Sequence, residues 1–140
     1  FGNAKVFDNA WVDGDAKVFG NAWVFDNTKV SGNAWVFGNA MVSGAAMVSG
    51  DAEVFGNAWV SGNAEVFEGT HLLQIGYIGP QNDTTTFFRT KSKAIYVKSG
   101  YYEGSITDFE ADVEKTHKGT KHEKTYKLAI QLAKEQIELD

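Results

Sequence analysis

Residues 18–47 read VFGNAWVFDNTKVSGNAWVFGNAMVSGAAM, five copies of one six-residue unit laid end to end. Outward from this stretch the same spacing holds, with valine at every sixth position from Val6 to Val66, eleven times in all. A unit so short cannot bury a core alone and must stack on its neighbours, so the period predicts a repeat architecture over residues 1–71. Two residues before each valine stands a small residue, such as Ala22, Thr28, Ala34 or Ala40. In a strand the two point to one side, and the residue between them points to the other. Gly-Asn or Asp-Asn supplies the bend, since these types tolerate positive φ and Asn can bond its own backbone. Each unit is therefore predicted to be a very short strand plus a corner around a narrow, valine- and alanine-filled lumen. A helix would need a 3.6-residue period and would carry the repeated Gly-Asn at a cost. A meander of hairpins would leave open edges and a one-sided core.

The unit, with its aliphatic residue, its small residue and their spacing, resembles the hexapeptide repeat of left-handed parallel β-helix proteins. The second position departs from that pattern, being Phe, Ser or Asp here. The resemblance implies three units per triangular coil, hence a left-handed parallel β-helix of about four coils. Eighteen residues per coil sort the outward side chains onto three faces. Phe1, Phe19, Phe37 and Phe55 stack on one, flanked by Lys17, Trp35 and Glu53. Phe7, Phe25, Trp23, Met41 and Trp59 share a second. The third is more polar, with Asp13, Ser31, Ser49, Lys29 and Glu65 beside Trp11, Met47 and Phe67. Stacked rings stabilise neighbouring rungs as cross-strand pairs do. Two aromatic faces also exceed what a soluble monomer leaves wet, which points to an interface through Phe1, Phe19, Phe37, Phe55, Trp35, Phe7, Phe25, Trp23 and Trp59. The fold resemblance implies a homo-oligomer, commonly a trimer.

The period ends at His71, and residues 72–140 read as an α+β cap of three strands and two helices. The strands are expected at Leu72–Ile78, Thr84–Thr90 and Ala94–Ser99, with a loop from Gly100 to Gly104. Thr107 and Glu110 have capping-box spacing for a first helix ending near Gly119, and a last helix is expected over Lys121–Leu139. Such a cap closes an open column end that would otherwise present unpaired backbone. The run IGPQNDTTTFFRT, residues 78–90, and the later GSITDFE are similar to C-terminal regions of uncharacterised bacterial and phage-borne repeat proteins.

The formal charge is −5. Residues 1–71 hold three lysines against eight acids, whereas residues 72–140 are balanced, so the repeats carry the whole deficit. An acidic repeat surface repels a phosphate backbone, which argues against a nucleic-acid partner. Absence of cysteine fits a reducing compartment, and no long apolar run or signal peptide is visible, so a cytoplasmic protein without membrane attachment is expected. The chain opens at Phe1 within a repeat and lacks an initiator methionine, so an upstream segment is expected.

The resemblance also implies chemistry to look for, because hexapeptide-repeat enzymes include acyltransferases with a catalytic histidine and a carbonic anhydrase class with histidine-bound zinc. Residues 1–70 contain neither histidine nor a loop insertion. His71, His117 and His122 are too scattered for a zinc site, and no metal or other cofactor is expected. His117 and His122 read as solvated residues at a helix end. Asp8, Asp13, Asp15, Asp26 and Asp51 occupy turn positions that favour Asp in any case. A ligand site, if any, is expected in the cap, where Arg89, Asn82, Tyr96, Tyr101 and Tyr102 offer a guanidinium and rings to an anionic or planar ligand. The alternative is that Arg89 lies in solvent and the tyrosines pack on the helices. The expected role is a non-enzymatic structural or interaction module. Two alternatives stand beside it: an acyltransferase-like enzyme with an inter-subunit site using His71 or groups in the cap, and a phage-linked protein that sequesters a small ligand or blocks a host protein.

Overall fold

In a computed structural model that describes residues 2–100 and 102–139, the repeat forms eleven strands of two residues each. They are β1 (Lys5–Val6), β2 (Trp11–Val12), β3 (Lys17–Val18), β4 (Trp23–Val24), β5 (Lys29–Val30), β6 (Trp35–Val36), β7 (Met41–Val42), β8 (Met47–Val48), β9 (Glu53–Val54), β10 (Trp59–Val60) and β11 (Glu65–Val66). Three parallel sheets result, in the orders β1-β4-β7-β10, β2-β5-β8-β11 and β3-β6-β9. Partners lie eighteen residues apart, as in Lys5↔Trp23, Trp23↔Met41 and Met41↔Trp59. The protein is thus a β-solenoid of three full turns and two strands of a fourth, slightly short of the expected four.

The inward residues explain why the turns stack. Val24, Val30, Val36, Val42, Val48, Val54, Val60 and Val66 are fully buried, as are the alanines from Ala22 to Ala64 at the small position. Thr28 replaces alanine once and leaves its hydroxyl in the lumen without a hydrogen-bond partner among the described residues. On the first rung the inward Val6 is 45% exposed. At the corners the chain needs positive φ in a crowded place. Gly44 has φ +69°, and a Cβ there would stand 2.8 Å from the Gly62 nitrogen. One turn earlier Asp26 takes the same corner at φ 60°, and its carboxylate accepts a bond from the Gly44 N–H at 3.0 Å. Along another corner the Asn21 amide donates to Asn39, and Asn39 donates to Asn57.

After a short 3-10 turn at Gly69–His71, the second unit is an antiparallel sheet of β12 (Leu72–Ile78), β13 (Asp83–Arg89), β14 (Ile95–Lys98) and β15 (Glu103–Ser105), followed by α1 (Ile106–Thr116) and α2 (Lys121–Gln136). The sheet has four strands where three were expected. The segment read as a loop supplies the fourth, pairing Tyr96↔Ser105, Val97↔Gly104 and Lys98↔Glu103. The first helix is capped by Ser105, whose side chain accepts from the Asp108 N–H, two residues before the expected Thr107. The last helix stops at Gln136, short of Leu139.

Alternation along β13 joins the two cores. Phe88 points into the end of the lumen, where Leu72 and Tyr96 also pack. Phe87 points the other way, into a cluster with Val97, Phe109, Val113, Tyr126 and Ile130 under the helices. The cap also satisfies backbone donors and acceptors of the last turn. Thr86 Oγ1 accepts from the Trp59 N–H, the Gln74 amide donates to the Phe55 carbonyl, and the Lys91 N–H donates to the Asn63 carbonyl. The solenoid therefore ends on hydrogen bonds rather than on an open strand edge.

Candidate functional site

The outward side chains form columns because each strand repeats its register on the next turn. Phe19, Phe37 and Phe55 stack face to face, with centroids 5.0 and 5.7 Å apart. Phe7 and Phe25 stack at 5.1 Å. Trp35 meets Phe19 and Phe37 edge-on, and Trp23 meets Phe7 in the same way. Each of these tryptophans also has a lysine over its ring from the preceding turn: Lys17 on Trp35 and Lys5 on Trp23, both at 5.5 Å. Phe1 lies outside the described residues. Stacking thus accounts for part of the aromatic surface, and much still faces solvent: Phe7, Trp23, Trp35 and Phe55 are 39%, 41%, 40% and 44% exposed. Trp59 differs from the others. Its indole N–H donates to Ser43 Oγ at 3.1 Å and Lys98 covers its ring at 4.3 Å, which ties it to the cap.

The residues expected to hold a ligand in the cap do not converge. Arg89 is only 2% exposed and lies between the cap and the last turn of the solenoid. Its Nε donates to the Glu65 carbonyl at 3.0 Å, its terminal nitrogen stands 3.8 Å from the Glu65 carboxylate, and Phe67 packs against its guanidinium. It is neither a free anion clamp nor a solvated strand end. Tyr102 packs on Phe109, and its hydroxyl donates to the Ser105 carbonyl. Burial and the nearby Asp108 push its pKa up. Tyr96 packs on Phe88 and lines a shallow cleft with Gly62 and Lys91. Asn82 lines a different cleft, of about 290 Å³, between the solenoid corner at Asn57 and the first three cap strands. Tyr101 lies outside the described residues.

The histidines are structural in their contacts. His71 is 4% exposed and accepts the Phe67 N–H at Nδ1, which fixes the neutral tautomer with its proton on Nε2. Burial and the Arg89 charge hold its pKa below the usual histidine value. His71 lies outside both clefts. His117 is buried against Tyr126 at the end of α1, contrary to the expectation of a solvated residue, and His122 stands 6.0 Å from it. Among the described residues no three His, Cys, Asp or Glu side chains gather as a metal site requires. No helix among them is long and apolar enough to cross a membrane.

Two features of this junction escaped the sequence reading. The Arg89–Glu65 contact joins residues 24 apart, and nothing in either local stretch marks the pair. The 290 Å³ cleft borders an irregularity in β12, between Ile75 and Ile78, that its apolar run does not announce.

No curated protein and no solved structure matches the chain. A family model described as the YdcK beta solenoid repeat matches residues 34–50, about one turn of the stack. Over that turn the chain is similar to the YdcK solenoid repeat, and the parallel sheets on either side carry the same architecture outward.

Proposed function

We propose that the protein is a rigid, non-enzymatic interaction module that self-associates through the ring-bearing faces of its solenoid. The observation that carries this reading is the exposure of Trp23 and Trp35 on the parallel sheets and of Phe7 and Phe55 at the corners that follow them. Along the stacked turns the inward positions are taken by valine, alanine and threonine, so these rings stay outside, and an exposed apolar surface of this kind marks an interaction site.

The β3-β6-β9 face supplies a reason for that surface to be another copy of the chain. Its outward column runs Lys17, Trp35, Glu53, one residue per turn. A second copy turned end for end about Trp35 sets Lys17 of each against Glu53 of the other, with the phenylalanine stack alongside. This is the self-complementarity that a two-fold interface requires. It favours paired solenoids over the trimer that the fold resemblance implies.

Sedimentation velocity across a concentration series tests the reading. Association is expected for the native chain, and a monomer is expected for the Trp35→Glu, Phe55→Ser double variant with an unchanged circular dichroism spectrum. A native chain that stays monomeric at every concentration would overturn it.

A further inference from the structure

The cleft between the solenoid corner and the cap has the makings of a small-molecule site. It borders a bulge. On β12 the register passes from Ile75↔Thr85 to Ile78↔Asp83, so Gly76 and Tyr77 together face the single residue Thr84. Bulges re-aim side chains and occur beside binding sites. Here Tyr77, in the bulge, is 69% exposed at the cleft that Trp59 and Asn57 also line.

Three of the polar side chains around this space, Asn57, Asp83 and Thr84, keep hydrogen-bonding capacity that no described residue takes up. The carboxamide ladder Asn21, Asn39, Asn57 ends there, and the Asn57 amide nitrogen has no acceptor among the described residues. The Asp83 carboxylate and the Thr84 hydroxyl likewise make no hydrogen bond with described residues. Two glycines leave room for them. A Cβ on Gly100 would collide with Asp83 Oδ2, and one on Gly76 would stand 2.8 Å from Thr84 Oγ1. Donors, acceptors and an exposed ring thus converge on about 290 Å³, the lower end of ligand-pocket volumes and room for one small ring.

Charge narrows the class of ligand. Asp83 disfavours an anion and Lys98, held over Trp59, disfavours a second cation. A neutral polyhydroxylated molecule suits both, because its hydroxyls donate to the carboxylate and accept from ammonium and amide. Its C–H face can lie against the Tyr77 ring. We propose that this cleft binds a single neutral sugar ring, gripped by Asn57, Asp83 and Thr84 and stacked on Tyr77.

Saturation-transfer NMR on the full chain with glucose, galactose, mannose and N-acetylglucosamine, one at a time, tests the proposal. Inorganic phosphate, tetramethylammonium and glycine serve as anion, cation and zwitterion probes. At least one sugar is expected to receive saturation, with shifts of the Asn57 side-chain amide in the nitrogen-correlated spectrum. Tyr77→Ala and Asn57→Ala, each checked for a native melting curve, should weaken that sugar about tenfold or more. Leu128→Ala, exposed on α2 and remote from the cleft, should leave it unchanged. The proposal fails if no sugar receives saturation, if Tyr77→Ala binds as well as the native chain, or if phosphate, tetramethylammonium or glycine binds more tightly than every sugar.

Discussion

The solenoid and the cap bury their cores by opposite means. In the solenoid every turn meets the next through the same small residues, so Val24, Val42 and Val60 occupy equivalent places eighteen residues apart. In the cap each buried residue has its own neighbours, as Phe109 has with Phe87, Tyr102 and Tyr126. The first arrangement gives stability that grows by nearest-neighbour steps, with nothing in the lumen to say where the stack should stop. The second supplies the stop. Phe88 fills the lumen, Thr86 and Gln74 bond the last turn's backbone, and Arg89 holds the two units together.

If that division is right, the largest effect should come from Arg89. Arg89→Ala removes the bond to the Glu65 carbonyl, the ion pair and the packing on Phe67. The expected loss is about 3 kcal/mol, the low end for breaking a buried pair, because Glu65 keeps some access to solvent. Chemical denaturation should then separate into two transitions, one for each unit. A single transition with an unchanged midpoint would mean that the other junction bonds suffice without Arg89.

The next three substitutions examine the solenoid's regularity, in falling order of effect. Gly44→Val should cost about 2–3 kcal/mol, because it forces a β-branched residue to positive φ against the Gly62 backbone. Val42→Ala, in the middle of the stack, should cost about 2 kcal/mol through lost burial and the void it leaves. Val6→Ala should cost far less, since Val6 is already half open to solvent. Equal losses at the two valines would show that the rungs are not independent. Thr28→Val moves the other way. It removes a hydroxyl with no partner and should stabilise the chain by about 1 kcal/mol, seen as a higher melting temperature.

The same contrast governs how far each unit could be read from the sequence. The solenoid was legible because its long-range contacts recur at a fixed spacing, so the order of valines already contains the pairing. Leu72–Ile78 was legible as well, being an apolar run bounded by Gly79 and Pro80. Glu103–Ser105 was not, because Glu-Gly-Ser has no alternation and is a strand only through its bonds to Tyr96, Val97 and Lys98. Ser105 and Thr107 both offer capping chemistry, and tertiary packing chose between them by burying Ile106. The candidate site was the least legible. Arg89 looked available on a strand end, and its partner Glu65 could be found only once the last turn lay beneath the cap. Tyr77, Asn57 and Asp83 come to line one cleft through a bulge and a corner that no local pattern pairs.

The smallest expected effect concerns the outward columns, where the solenoid's own interactions compete with a partner's. Lys17 sits over Trp35 and also occupies the position proposed to face Glu53 of a second copy. Lys17→Met removes the charge and keeps most of the aliphatic stem. For a lone chain at low concentration this should cost about 0.5 kcal/mol, the scale of an exposed cation–π contact. Charge reversal discriminates further. Lys17→Glu should weaken self-association, Glu53→Lys should weaken it as well, and the two together should restore it. With both exchanged, the acid and the base have traded ends of the column, which stays complementary to itself when turned end for end about Trp35. A double variant no better than either single one would mean that the rings associate without regard to the column's charges, and the two-fold arrangement would fall while the exposed rings kept their need for cover.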